Sequence, residues 1–151
     1  MFFRGFGVMI SRTSAYAIQL LCYFAEKENR EKKQYKGVLE PVFVYDVADK
    51  VGIPRNFLSK IAVVLAKKGI LGSQKGPKGG VFLKVSPDKI TLYDICEIFG
   101  ENILKSDCIL GNPQCGDSVA CPMHNFWKKE RERFLDYLRN TTIAKLISKK
   151  Q

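Results

Sequence analysis

The sequence predicts a mainly α-helical chain with a small β wing, a winged helix-turn-helix followed by a long C-terminal helix suited to dimerisation. Three observations carry that prediction. A compact apolar pattern across DVADKVGIPRNFLSKIAVVLAKKGIL is interrupted by Gly52. Two short apolar runs, ILGSQ and VFLKV, flank a Gly- and Pro-rich KGPKGG. From Pro122 to about Ile147, aromatic and aliphatic residues recur at helical spacing among charges. A length of 151 residues, 46% of them hydrophobic, fits one domain with a modest core rather than a disordered chain.

Taken in order, residues 9–90 read as the winged helix-turn-helix region. Ser11 opens a first helix with hydroxyl residues suited to N-capping, and Ala17, Ile18, Leu21, Phe24 and Ala25 supply its apolar face. EKENREKKQYKG has no apolar periodicity and reads as a solvated loop or helix end, ahead of a short extended piece from Pro41 to Val44. Val47, Ala48, Val51, Ile53, Leu58 and Ile61 then form the set that two short crossing helices bury. Ala48 is small enough for close helix approach, and Gly52 can take the positive φ of the turn. Pro54 suits the first turn of the second helix, where a missing N–H costs nothing. On that helix Arg55, Asn56, Ser59 and Lys60 fall outside the apolar stripe, free to meet base edges and phosphates in a major groove.

Gly69 ends the second helix, and the hairpin that follows carries Lys75 and Lys78 at its tip, where a wing approaches the DNA backbone or minor groove. A phosphate-binding nucleotide loop is excluded at KGPKGG, because the G-x-x-x-x-G-K-[ST] spacing is absent and a strand follows. Ser86-Pro87 breaks the strand. ITLYDICEIFG places Leu92, Ile95, Cys96 and Phe99 on one helical face of a connecting segment, residues 91–107, and Cys96, like Cys22 in the first helix, is expected to be a buried apolar residue. The final helix, 122–148, carries Phe126, Trp127, Phe134, Leu138 and Ile143 and needs an apolar partner. The economical partner in a DNA-binding protein is the same helix of a second subunit.

Charge narrows the function classes. The chain carries a formal +10, and residues 50–89 hold nine basic side chains against the single acid Asp88, a local +8. That field favours a polyanion, nucleic acid or an acidic membrane surface, as partner. No apolar run approaches the roughly 18 to 20 residues that cross a bilayer, and MFFRGFGVMI lacks a secretory pattern. The expectation is a cytoplasmic protein without a membrane partner, with Met9 as an alternative start. Enzymatic chemistry is not expected: there is one His, no catalytic carboxylate pair at a recognisable spacing, no nucleotide fingerprint and no small-molecule substrate to infer.

The segment 108–124, CILGNPQCGDSVACPMH, gathers three of the five cysteines and the only histidine. In a reducing compartment such a cluster points to metal or redox chemistry before disulfides. Gly111, Pro113 and Gly116 would let the loop fold back so that its sulfurs converge. Cys121 suits an N-cap and Pro122 the first helical position, which would put His124 about one turn on, facing the same side.

The order ISRTSAYAIQLL, DVADKVGIPRNFLSKIAVVLAKKGIL, KGPKGGVFL, ITLYDI and C-x6-C-x5-C-x2-H-x2-W resembles the Rrf-two family of winged-helix transcription regulators, from Met9 to Ser148. The family wing reads R-G-x-x-G-G-Y; here Lys75 to Val81 keep the glycines and change the Arg and the Tyr. The resemblance implies a homodimer that binds palindromic double-stranded promoter DNA, most often as a repressor. It also implies an iron-sulfur cluster as the sensor of iron, oxygen, nitric oxide or cluster status. By position its thiolate ligands would be Cys108, Cys115 and Cys121. IscR-like members take the fourth ligand from a His three residues after the last Cys, here His124, whereas other members use an Asp in the first helix of the other subunit, where this chain has Ala15. The resemblance therefore implies a 2Fe-2S site before a 4Fe-4S one. It also puts Ser59 where IscR-like members carry a Glu that separates their cluster-bound and cluster-free targets.

Ligand chemistry agrees: thiolates are soft donors, and a neutral imidazole in place of one leaves a cluster less negative and raises its potential. Two alternatives use the same cysteines, a structural zinc site and a thiol-disulfide switch. Zinc sites are usually anchored by a C-x2-4-C pair, which is absent. A low-pKa cysteine at a helix start can oxidise reversibly.

Overall fold

In the computed structural model the described residues are 10–34, 40–105, 108–112, 115–116 and 121–148. The expectations placed on Met9 and Pro113 lie outside them. The elements are α1 (Arg12–Gln34), α2 (Val44–Val51), α3 (Arg55–Lys67), β1 (Leu71–Gln74), β2 (Gly80–Leu83), a 3-10 turn (Pro87–Lys89), α4 (Leu92–Ile98), α5 (Asn102–Lys105), α6 (His124–Asn140) and α7 (Ile143–Ser148). The mainly helical chain with a two-stranded wing is what the periodicities predict.

Helix α1 is the hub. Ala17, Leu20, Leu21, Phe24 and Ala25 recur at intervals of three and four, and all are buried. That face packs against α2, α3, α4, α7 and β2. Each fully buried Leu contributes roughly 1.5–3 kcal/mol of apolar burial. Of the two readings of the EKENREKK stretch, loop or helix end, the helix end holds, and α1 extends to Gln34, since Glu, Lys and Arg are good helix formers even without an apolar face.

Between α2 and α3, Gly52 sits at φ 71 in the left-handed region and the Ile53 N–H donates to the Ala48 carbonyl at 3.0 Å, so the turn closes as the sequence requires. Pro54 lies just before α3, and its carbonyl accepts from the N–H groups of Phe57 and Leu58, each at 3.0 Å. The wing pairs antiparallel, Leu71 with Leu83 and Gln74 with Gly80. Val42 adds a bridge to Val81 through N–H to O bonds of 2.9 and 2.8 Å. Gly80, at φ 139, is needed there, because a Cβ would stand 2.6 Å from the Val42 carbonyl.

Two expectations change. The C-terminal helix is not continuous from Pro122 to Ile147: Pro122 and Met123 form a turn, α6 begins at His124 and ends at Asn140, and α7 follows. The break has a backbone cause. Thr141 is extended, its carbonyl accepts from the Leu92 N–H, and the Ile143 N–H donates to Ile90, both at 2.9 Å, so the chain bridges back to the start of α4. The connecting segment is likewise two helices, α4 and α5, parted by Gly100 at φ 68.

Three polar devices hold this half of the fold. Thr91 and Asp94 form a capping box at the start of α4. Glu101, only 7% exposed, accepts from the Ser11 N–H at 2.9 Å and from the hydroxyls of Ser11 and Ser14, which fastens the start of α1 to the approach of the cysteine segment. Arg131 of α6 donates to the carbonyls of Ile103 and Leu104 at 2.9 and 3.3 Å, closing the end of α5. The cysteine segment thus leaves from one anchored element and returns into another.

Candidate functional site

The outward face of the helix-turn-helix carries Arg55, Asn56, Ser59 and Lys60, all exposed, while Leu58, Ile61, Ala62 and Leu65 are buried beneath them. Lys75 and Lys78 stand exposed at the wing tip, where the Gly79 N–H donates to the Gly76 carbonyl at 2.9 Å to close the turn. The residues expected to meet DNA therefore lie on α3 and the wing, as the apolar stripe dictates.

One feature of this face is invisible in the periodicity. Arg55 is bidentate with Asp49 of α2, Nε to Oδ1 at 2.8 Å and a terminal nitrogen to Oδ2 at 2.5 Å. Its guanidinium also lies 5.7 Å from the ring centroid of Tyr45, which stacks on Phe43 at 5.1 Å. Hydrogen bonding to Arg55 holds the Asp49 carboxyl below its ordinary pKa, and the same contact raises that of Arg55. Both partners are solvent-exposed, so the pair fixes direction more than it adds stability. The only sequence signal for it is an acid six residues before the Arg, on the far side of the turn.

Cys108, Cys115, Cys121 and His124 line one pocket with Ile109, Leu110, Met123 and Trp127. The three cysteines are half-buried, whereas Cys22 and Cys96 are buried in the core, and burial followed by the nearby Glu101 pushes the Cys96 thiol up to about 11. Cys115 Sγ lies 3.2 Å from His124 Nδ1. A turn closes at Cys108, whose carbonyl accepts from the Gly111 N–H at 3.2 Å with Gly111 at φ 72. The Cys108 thiol is held below its ordinary pKa, first by the N–H of Asn112 and then by those of Leu110 and Gly111 and the Cys115 thiol, against the opposing effect of burial. Backbone amides at this turn thus favour the thiolate form.

The helix-cap expectation for Cys121 is corrected. Its carbonyl accepts from the His124 N–H at 3.1 Å across the Pro122–Met123 turn, and α6 starts only at His124 because Met123 is its cap. The two residues still face one pocket, joined by a turn rather than by a helical one. Among the described residues no three His, Cys, Asp or Glu side chains are gathered tightly enough to grip an ion as they stand. The donor set nonetheless fits an iron-sulfur cluster: three soft sulfurs and one imidazole line the pocket, the Cys108 thiol favours its thiolate form, and the buried Trp127 Nε1 has no hydrogen-bond partner among the described residues. No helix of the described residues is long and apolar enough to cross a membrane.

Comparison with known proteins follows the same lines. The family model for Rrf2, an iron-dependent transcriptional regulator, matches residues 10–149. A putative HTH-type transcriptional regulator of Aquifex aeolicus is 34% identical over 143 residues, 93% of this chain and 92% of its own length. The HTH-type transcriptional regulator IscR of Erwinia tasmaniensis is 29% identical over 111 residues, covering 74% of this chain and 67% of its own. Among solved structures, CymR, the global cysteine regulator of B. subtilis, superposes with a TM-score of 0.70 at 22% identity over 93% of this chain and 97% of its own. T. potens IscR superposes at 0.69 and 21% identity, over 96% and 90% of the two chains. At these identities the structural likenesses establish the winged-helix fold.

Proposed function

This chain belongs to the Rrf2 family of transcriptional regulators, and we propose that its promoter binding is controlled by an iron-sulfur cluster held by Cys108, Cys115, Cys121 and His124. It is a DNA-binding regulator and not an enzyme. The observation that carries the sensor reading is the convergence of three thiols and the lone imidazole on one pocket at the start of α6. When bound, the cluster supplies a redox- and oxygen-labile centre whose loss removes the tie among those four side chains.

The chain's own residues make that tie consequential. His124 is the first residue of α6, so holding its ring holds the start of that helix. Arg131, two turns on, carries the same helix onto α5, and Glu101 carries the approach to α5 onto α1. Helix α1 packs on α2 and on α3, whose outward face bears the DNA-facing side chains. Phe126 and Tyr137 stand exposed on α6, the apolar surface that a second copy of the helix would cover in a homodimer reading paired half-sites. Repression by occlusion of a palindromic promoter is the action this arrangement fits.

The test is a DNA titration with the same protein in cluster-loaded and cluster-stripped form at one salt concentration. The expected result is a clear difference in affinity between the two forms. Equal affinities would remove the sensor role while leaving the DNA reader intact. A second reading, a thiol switch or zinc site at the same cysteines, is favoured by one observation, the contact between Cys115 Sγ and His124 Nδ1, because an adjacent imidazole promotes thiolate.

A further inference from the structure

Trp127 presents a buried donor without an acceptor. It is the only tryptophan in the chain and is 8% exposed, and its Nε1 is buried with no hydrogen-bond partner among the described residues. A buried N–H left unmade is costly, and buried indoles usually find a partner. Trp127 lies three residues after His124 on α6, so both rings project from the same side of the helix into the cysteine pocket. The remaining wall is aliphatic, Ile109, Leu110 and Met123, apart from the sulfurs and the imidazole. Beside the imidazole, the side-chain acceptors among these lining residues are sulfur atoms.

We infer that the Trp127 indole N–H donates a hydrogen bond to sulfur, of the bound cluster or of its thiolate ligands, and that this bond positions the cluster and raises its reduction potential. The inference rests on the cluster reading above. A donor aimed at cluster sulfur stabilises the added negative charge of the reduced form, so the loaded state satisfies the indole and the indole favours reduction. Trp127 is then a positioning and tuning residue rather than a packing residue alone.

Two measurements on loaded protein test it. In reduced wild type grown with a labelled indole nitrogen, pulsed paramagnetic resonance should resolve coupling from that nitrogen and from one exchangeable hydrogen; the single tryptophan makes the label site-specific. Trp127→Phe should shift the cluster potential to a more negative value and release the cluster roughly tenfold faster or more. Absence of the nitrogen coupling in wild type overturns the inference, whether or not the variant folds. So does an unchanged potential in a folded, loaded Trp127→Phe protein, and in either case the cluster reading stands. A wild-type chain that takes up no cluster removes both together.

Discussion

Replacing Glu101 with alanine tests how the cysteine half of the fold is tied to the DNA-reading half. The carboxylate accepts from the Ser11 N–H and from the hydroxyls of Ser11 and Ser14. Ser14 is 0% exposed, so its hydroxyl would be stranded, whereas Ser11 is exposed and would turn to water. Stranding one buried donor costs about 1–3 kcal/mol, and losing charge-assisted bonds adds to it, offset by the relief of not burying a carboxylate. The expected loss is about 2–4 kcal/mol, or roughly 6–12 °C in Tm for a chain of this length. Glu101→Gln keeps one acceptor oxygen and should lose about half as much. Urea unfolding followed by circular dichroism measures both, at one protomer concentration because dimerisation would shift the midpoint. A Glu101→Ala loss below about 0.5 kcal/mol would refute the claim that this carboxylate fastens α1 to the α4–α5 approach.

Other consequences are equally open to measurement. Neutralising Lys60 and Lys75 together should flatten the salt dependence of promoter binding by about one unit of slope per lost phosphate contact; an unchanged slope would mean neither touches the backbone. Asp49→Asn frees the Arg55 guanidinium, so affinity for unrelated DNA should rise and discrimination should fall, as read by competition binding; unchanged discrimination would make the pair ornamental to recognition. Cys96 has its folded-state pKa raised from 9.0 to about 11, so its contribution to stability is full below pH 9 and falls away as pH rises toward 11. Cys96→Ala should therefore unfold with a flatter pH profile than wild type in that window, and identical profiles would contradict the burial argument.

Much of the fold could be read from local pattern because burial repeats at helical or strand period. The α2–α3 turn follows from Gly52 and Ala48, and the wing from two apolar runs about a Gly/Pro tip. The break at Thr141 was not legible, since its cause is the bridge of Thr142 to Thr91, 51 residues away in sequence and visible only once α4 and α6 pack. The start of α6 differs because Pro122 suits a tight turn as well as a first helical position, and the turn it occupies is closed by the His124 N–H to the Cys121 carbonyl. At the site, the four candidate ligands are nameable from spacing and resemblance, while helical spacing places Trp127 only on the apolar face that a second subunit would cover. Only three-dimensional accounting of its N–H sets it apart.

The central claim is that Cys108, Cys115, Cys121 and His124 hold a cluster, and anaerobic absorbance with iron and sulfide analysis addresses it most directly. Protein purified without oxygen should be brown, with iron and acid-labile sulfide in matching amounts per protomer, and Cys115→Ala should lose the visible bands while keeping its helical circular dichroism. A colourless wild-type preparation containing one zinc per protomer, or no metal at all, would contradict the claim.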